Sequence, residues 1–81
     1  MPALTLLGRP DCQLCHEMRL LVERVIRGKQ VELLERNIEE DDALLRRYAL
    51  AIPVLVFGES EIARHQISEA ELRARLLEVG I

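Results

Sequence analysis

Ala3-Leu4-Thr5-Leu6-Leu7-Gly8-Arg9-Pro10-Asp11-Cys12-Gln13-Leu14-Cys15-His16 runs from an apolar segment through a turn into a pair of cysteines. Residues Ala3 to Leu7 are apolar around the β-branched Thr5 and read as a short buried strand. Gly8, Arg9, Pro10 and Asp11 supply turn signals. A helical period follows, because Leu14, Met18, Leu21, Val22 and Val25 fall on one face while Glu17, Glu23, Arg24 and Arg27 fall mostly on the other. The spacing predicts a helix over 13–27, closed by Gly28 in the position of a C-terminal cap. Cys12 and Cys15 therefore sit between a first strand and a first helix.

That position gives the cysteines a chemical meaning. A disulfide closing so short a loop constrains the unfolded chain little, so the pair reads as chemistry rather than as a staple. Small secreted domains that depend on disulfides spread them over longer loops, and the default for this chain is a reducing compartment. Cys12 is expected at the helix N-terminus, where unpaired backbone N–H groups and the helix dipole favour thiolate over thiol. Arg9, and His16 when protonated, add to that effect, while Asp11 opposes it. The helix terminus is expected to dominate and to hold Cys12 below the free-thiol value. Cys15 lies almost one turn later on the same side, so its sulfur can reach back to a mixed disulfide on Cys12. Attack by one thiolate and resolution by a second is the pattern of thiol–disulfide exchange.

The remainder of the chain alternates in the same way. Val31 to Asn37 suits a second strand. The acidic run Glu39 to Asp42 reads as a solvated helix start, and Ala43, Leu44, Leu45 and Tyr48 as a short second helix. Ile52 to Phe57 reads as a third strand introduced by Pro53, and Glu61 to Arg64 as a fourth after the Gly58-Glu59 turn. Ser68 and Glu71 form a capping box, flanked by Ile67 and Leu72 as a hydrophobic staple, before a last helix that Gly80 ends. The order is β-α-β-α-β-β-α, an α/β class bordering on α+β. Its first half implies a parallel unit with a right-handed crossover, and its closing strands an antiparallel pair.

Composition narrows the possibilities further. The 81 residues are 49% hydrophobic and 31% charged, which fits one globular domain over residues 1–81. Tyr48 and Phe57 are the only aromatic residues and the net charge is −3, so neither stacking platforms nor an electrostatic case for nucleic acid exists. The longest apolar run, Ala49 to Phe57, is interrupted by Pro53 and falls far short of the ~20 residues a bilayer needs. No basic segment followed by an apolar stretch opens the chain, so no secretory signal is expected and a cytoplasmic location is.

Pro53 has two readings: a proline that simply begins a strand, or a cis peptide at Ile52–Pro53 beside the cysteine loop. The second would turn the Ile52 backbone toward the cysteines, exposing its N–H and C=O to an incoming peptide or glutathione strand. Arg9-Pro10-Asp11-Cys12-Gln13-Leu14-Cys15 after a first strand, with Ile52-Pro53 before a third, resembles the thioredoxin superfamily. The layout is most similar to the glutaredoxins, in particular the small bacterial glutaredoxin-like proteins. The resemblance implies a four-stranded mixed sheet with three helices. It also implies that Cys12 is the nucleophile, Cys15 the resolving thiol and Pro53 a cis-proline. By the same resemblance, Arg9 lies near the position of a basic residue that in glutaredoxins often contacts the glutathione carboxylate. Three features depart from the pattern. Gln13-Leu14 stands between the cysteines, Ala51 stands where threonine is common, and Glu61-Ile62-Ala63-Arg64-His65 replaces the Gly-Gly and acidic stretch that binds glutathione.

The expected function is thiol–disulfide oxidoreduction by Cys12 and Cys15, with Pro53, Ile52 and Arg9 at the substrate groove. No bound cofactor is required, although glutathione can serve as co-substrate. The expected partner is a disulfide-containing protein or a glutathione-type thiol, and a monomer is expected. Rival classes are a metal site, zinc or iron–sulfur, drawing on Cys12, Cys15, His16 and His65, and a redox-inactive binding module on the same fold. Cys12-Gln13-Leu14-Cys15-His16 also matches the attachment pattern of c-type haem, and two buried core cysteines are the plainest alternative.

Overall fold

Apolar side chains on both faces of the opening segment require cover on both sides, and the chain provides it. The computed structural model describes residues 1–81. Its elements are β1 (Ala3–Gly8), α1 (Gln13–Ile26), β2 (Glu32–Asn37), a 3-10 turn (Ile38–Glu40), α2 (Asp42–Tyr48), β3 (Val54–Phe57), β4 (Ser60–Arg64) and α3 (Glu69–Glu78). The four strands form one mixed sheet in the order β2-β1-β3-β4. β1 runs parallel to β2 with Leu6 opposite Glu35 and Gly8 opposite Asn37, which makes α1 the crossover. β3 is antiparallel to both β1 and β4, with a register irregularity at Leu55/Val56.

The period of two along each strand sorts the core into two layers. Leu4, Leu6 and Leu55 face α1 and α3, where they pack with Met18, Val22, Val25, Leu72 and Leu76. Leu7 and Val54 face the other way and join Ile38 and Ala51 under Leu44, Leu45 and Tyr48 of α2. The second layer is thinner, and no residue of α2 itself is fully buried. β2 and β4 are the outermost strands, and Glu32, Glu35 and Arg36 on β2 are exposed, as are Ser60, Glu61 and Arg64 on β4.

The expected β-α-β-α-β-β-α order and mixed sheet are present. Boundaries differ where local chemistry intervenes. α1 stops at Ile26, one residue early, with Arg27 as its C-cap and Gly28 at φ 83°, a left-handed conformation that glycine adopts without a Cβ penalty. Its buried face is Cys15, Met18, Val22, Val25 and Ile26, so Leu14 and Leu21 lie at the margin rather than on the seam. The acidic run is not one helix start. The Asn37 side chain caps the 3-10 turn by accepting from Glu39 N–H, and Asp41 then caps α2 by accepting from the N–H groups of Ala43 and Leu44. β3 begins at Val54 rather than Ile52, because the Ile52 N–H is drawn back to the Tyr48 carbonyl at 3.2 Å. Ser68 caps α3 as expected, its Oγ accepting from Glu71 N–H at 3.1 Å, while the Glu71 carboxylate turns to Arg75.

Candidate active site

Cys12 is the N-cap of α1, with extended backbone at φ −114° and ψ 110°. Its Sγ accepts a hydrogen bond from the Cys15 N–H at 3.1 Å, so one orphan donor of the helix end is aimed at this sulfur. The Cys12 carbonyl begins the helix by accepting from His16 N–H. Cys12 and Cys15 are joined in a disulfide, with Cα atoms 5.2 Å apart. The two differ in access: Cys12 is half-buried, whereas Cys15 is 7% exposed. Cys15 rests on the last residue of β1. A Cβ on Gly8 would stand 2.8 Å from its Sγ, so only glycine leaves the sulfur its present seat.

Cys12 borders two hollows. The first, about 430 Å³, is lined by Arg9, Asp11, Cys12, Ala49, Leu50 and Ile52. The second, about 450 Å³, holds both sulfurs beside Arg9, His16, Arg19, Glu35, Arg36 and Glu40. Of the residues expected at the site, Arg9, Cys12 and Ile52 thus share a surface. Pro53 lies behind it, fully buried, on a cis peptide with Ile52. The Pro53 carbonyl accepts from His65 N–H at 2.8 Å, which ties the loop before β3 to the end of β4. The expectation that the Ile52 N–H is open to a substrate strand is corrected: Tyr48 already holds it, and only the Ile52 carbonyl is without a backbone partner. Arg9 is also engaged within the protein, donating to the Ala49 carbonyl at 3.3 Å with its other terminal nitrogen 3.9 Å from Glu39.

Arg19, Glu35, Arg36 and Glu40 were not among the expected site residues. β2 and the segment after it bring Glu35, Arg36 and Glu40 in through the parallel register, and Arg19 arrives one turn along α1. Arg19 ties these parts together, with a nitrogen 2.9 Å from His16 Nδ1 and another 3.6 Å from Glu35. The four donors weighed for a metal do not assemble: no three His, Cys, Asp or Glu side chains converge in a group that could hold an ion. His65 instead lines a separate groove with Leu14 and Ile67, on backbone at φ 63°.

The model of the Glutaredoxin-like domain (DUF836) matches residues 3–77. The chain belongs to this family. Among solved structures, the glutaredoxin-like chain is similar to protein XcR50 from X. campestris, with 29% identity, 96% of this chain and 99% of that one covered, and a TM-score of 0.77. Protein Ne2328 from Nitrosomonas europaea gives 28% identity over 91% of each chain, with a TM-score of 0.76. Thioredoxin 1 from Thermosipho africanus, at 13% identity, covers 95% of this chain and 92% of its own with a TM-score of 0.66, a likeness of fold alone. No curated protein matches the chain significantly. No helix is long and apolar enough to cross a membrane. Glutaredoxin-like family membership and a C-x-x-C pair at disulfide distance fit a thiol redox role.

Proposed function

We propose that this glutaredoxin-like protein is a dithiol–disulfide oxidoreductase in which Cys12 attacks and Cys15 resolves. The observation that carries the reading is the asymmetry of the pair. Cys12, the half-buried member, caps the helix and its sulfur receives the Cys15 N–H at 3.1 Å, while its mate is 7% exposed. In the reduced protein that donor and the helix end favour the thiolate of Cys12, the form that attacks disulfides.

The Cys12 thiolate attacks one sulfur of a substrate disulfide. A Cys12–substrate S–S bond forms as the substrate S–S bond breaks, and the departing thiolate takes a proton from solvent. The Cys15 thiol loses its proton and attacks Cys12 Sγ, forming the Cys12–Cys15 bond and releasing the second substrate thiolate. Two electrons pass from the dithiol to the substrate. Glutathione or a reductase then restores the dithiol. The half-exposed Ile52 and the Arg9-tethered loop form one wall of the substrate groove, and buried Pro53 supports that wall from behind. The partner is a disulfide-containing protein or a glutathione-type thiol, met in a reducing compartment such as the cytoplasm.

Substituting each cysteine separates the roles. Cys12→Ser abolishes exchange with a dithiol-reducible substrate, and Cys15→Ser accumulates a mixed disulfide on Cys12 that mass spectrometry detects as a covalent adduct. Equal turnover by Cys12→Ser and the wild type overturns the assignment.

A further inference from the structure

Leu50 is 94% exposed, more than any other large apolar side chain of the protein, and it lines the hollow that also holds Cys12. A leucine in water forgoes the transfer free energy that would favour its burial, and nothing in the fold requires it there. Nor is its exposure the fraying of a loose loop. The Ala49 N–H bonds to Leu45, the Ala51 and Ile52 N–H groups bond to Tyr48, and Arg9 holds the Ala49 carbonyl from across the hollow. Ala49 and Ile52 extend the apolar surface on either side of it.

The charges of this hollow bear on which disulfide it admits. The Arg9 guanidinium is engaged by Glu39 and the Ala49 carbonyl. Asp11, on the same hollow, has no cationic side chain within ion-pair distance. On this side of the reactive sulfur an apolar projection therefore stands beside an uncompensated carboxylate and an arginine already engaged within the protein, a surface poorly matched to the carboxylates of glutathione disulfide.

Resting on the oxidoreductase reading above, we propose that Leu50 is a specificity-determining residue. It takes an apolar side chain flanking the cysteine of a protein disulfide, and so selects such disulfides over glutathione disulfide. The chemistry is the exchange already written; Leu50 adds only apolar area buried as the substrate sulfur reaches Cys12.

The test uses three oxidised probes with the reduced full-length protein: the disulfide dimer of a Gly-Leu-Cys-Leu-Gly peptide, that of Gly-Gln-Cys-Gln-Gly, and glutathione disulfide. The wild type reduces the leucine peptide about tenfold faster than the glutamine peptide, the size expected for one partly buried leucine contact, and faster than glutathione disulfide. The ratio between the two peptides falls to near one in Leu50→Gln and returns in Leu50→Met. Circular dichroism of both variants matches the wild type, since the side chain packs against nothing. A peptide ratio near one in the wild type overturns the proposal, as does a ratio that survives in Leu50→Gln or a preference for glutathione disulfide. Each of those results leaves the oxidoreductase reading standing. A wild type that reduces none of the three probes defeats that reading, and this proposal falls with it.

Discussion

Gly8 and Cys15 meet where β1 gives way to the turn that leads into the cysteine pair, and their contact is a sharp constraint on a single position. A methyl at Gly8 would stand 2.8 Å from Cys15 Sγ and 3.2 Å from its Cβ. Gly8→Ala is expected to destabilise the protein by about 1–3 kcal/mol in urea unfolding, the usual range for overpacking. In a Cys15→Ala background the same change costs clearly less, since the sulfur is gone. Equal penalties in both backgrounds would place the strain elsewhere. The C-x-x-C pair and its place before a helix were readable from the sequence because both are local. The role of Gly8 was not, since a glycine opening the Gly8-Arg9-Pro10-Asp11 stretch reads only as a turn until a sulfur is brought over it. Glu35 and Arg36 escaped for a related reason: only the pairing of β2 with β1 sets which β2 side chains face the cysteines.

At the scale of the element, α3 shows how termini are fixed. Ser68→Ala removes the acceptor for Glu71 N–H and is expected to cost about 1 kcal/mol, read as a lower midpoint in urea. Glu69, in the first turn, is gripped by Arg73 on its own helix and by Arg24 on α1. Those guanidiniums, Arg73 foremost, hold its carboxyl below the ordinary value of 4.5, and Arg64 does the same for Glu61. A carboxyl depressed in the folded state contributes stability that is complete above its unfolded value and lost as pH falls through the folded one. Thermal midpoints are therefore expected to drop as pH is lowered below 4.5, and Glu69→Gln is expected to make that drop shallower. An unchanged slope in Glu69→Gln would show that the ion pairs contribute nothing in solution. The cap at Ser68 was readable as a motif. The division of the acidic run into a turn and a helix was not, because Asn37 and Asp41 each cap a different element and charge alone does not say where one ends.

Over the whole molecule, the two layers differ in depth. The layer between the sheet and α1 with α3 holds 11 buried residues, against 4 beneath α2. Leu72, fully buried in the thicker layer, is expected to cost about 2–5 kcal/mol when cut to alanine. That is a large share of the roughly 4–12 kcal/mol ordinary for a chain this long. Leu44→Ala, on the half-buried face of α2, is expected to cost less than half as much, and comparing the two denaturation midpoints checks it. Element order and the mixed sheet were readable because alternating helical and strand periods leave few ways to cover one sheet. The depth of each layer was not, since Leu44, Leu45 and Tyr48 look as apolar in the sequence as residues that end fully buried.

The outermost positions of β2 and β4 have a consequence for what happens between molecules. A rim strand presents unpaired backbone groups on which a foreign strand can dock, the first step toward cross-β fibrils. Glu32, Glu35 and Arg36 on one rim, and Glu61 and Arg64 on the other, stand in the way of such growth. An added strand would crowd these ionised groups and strip part of their water.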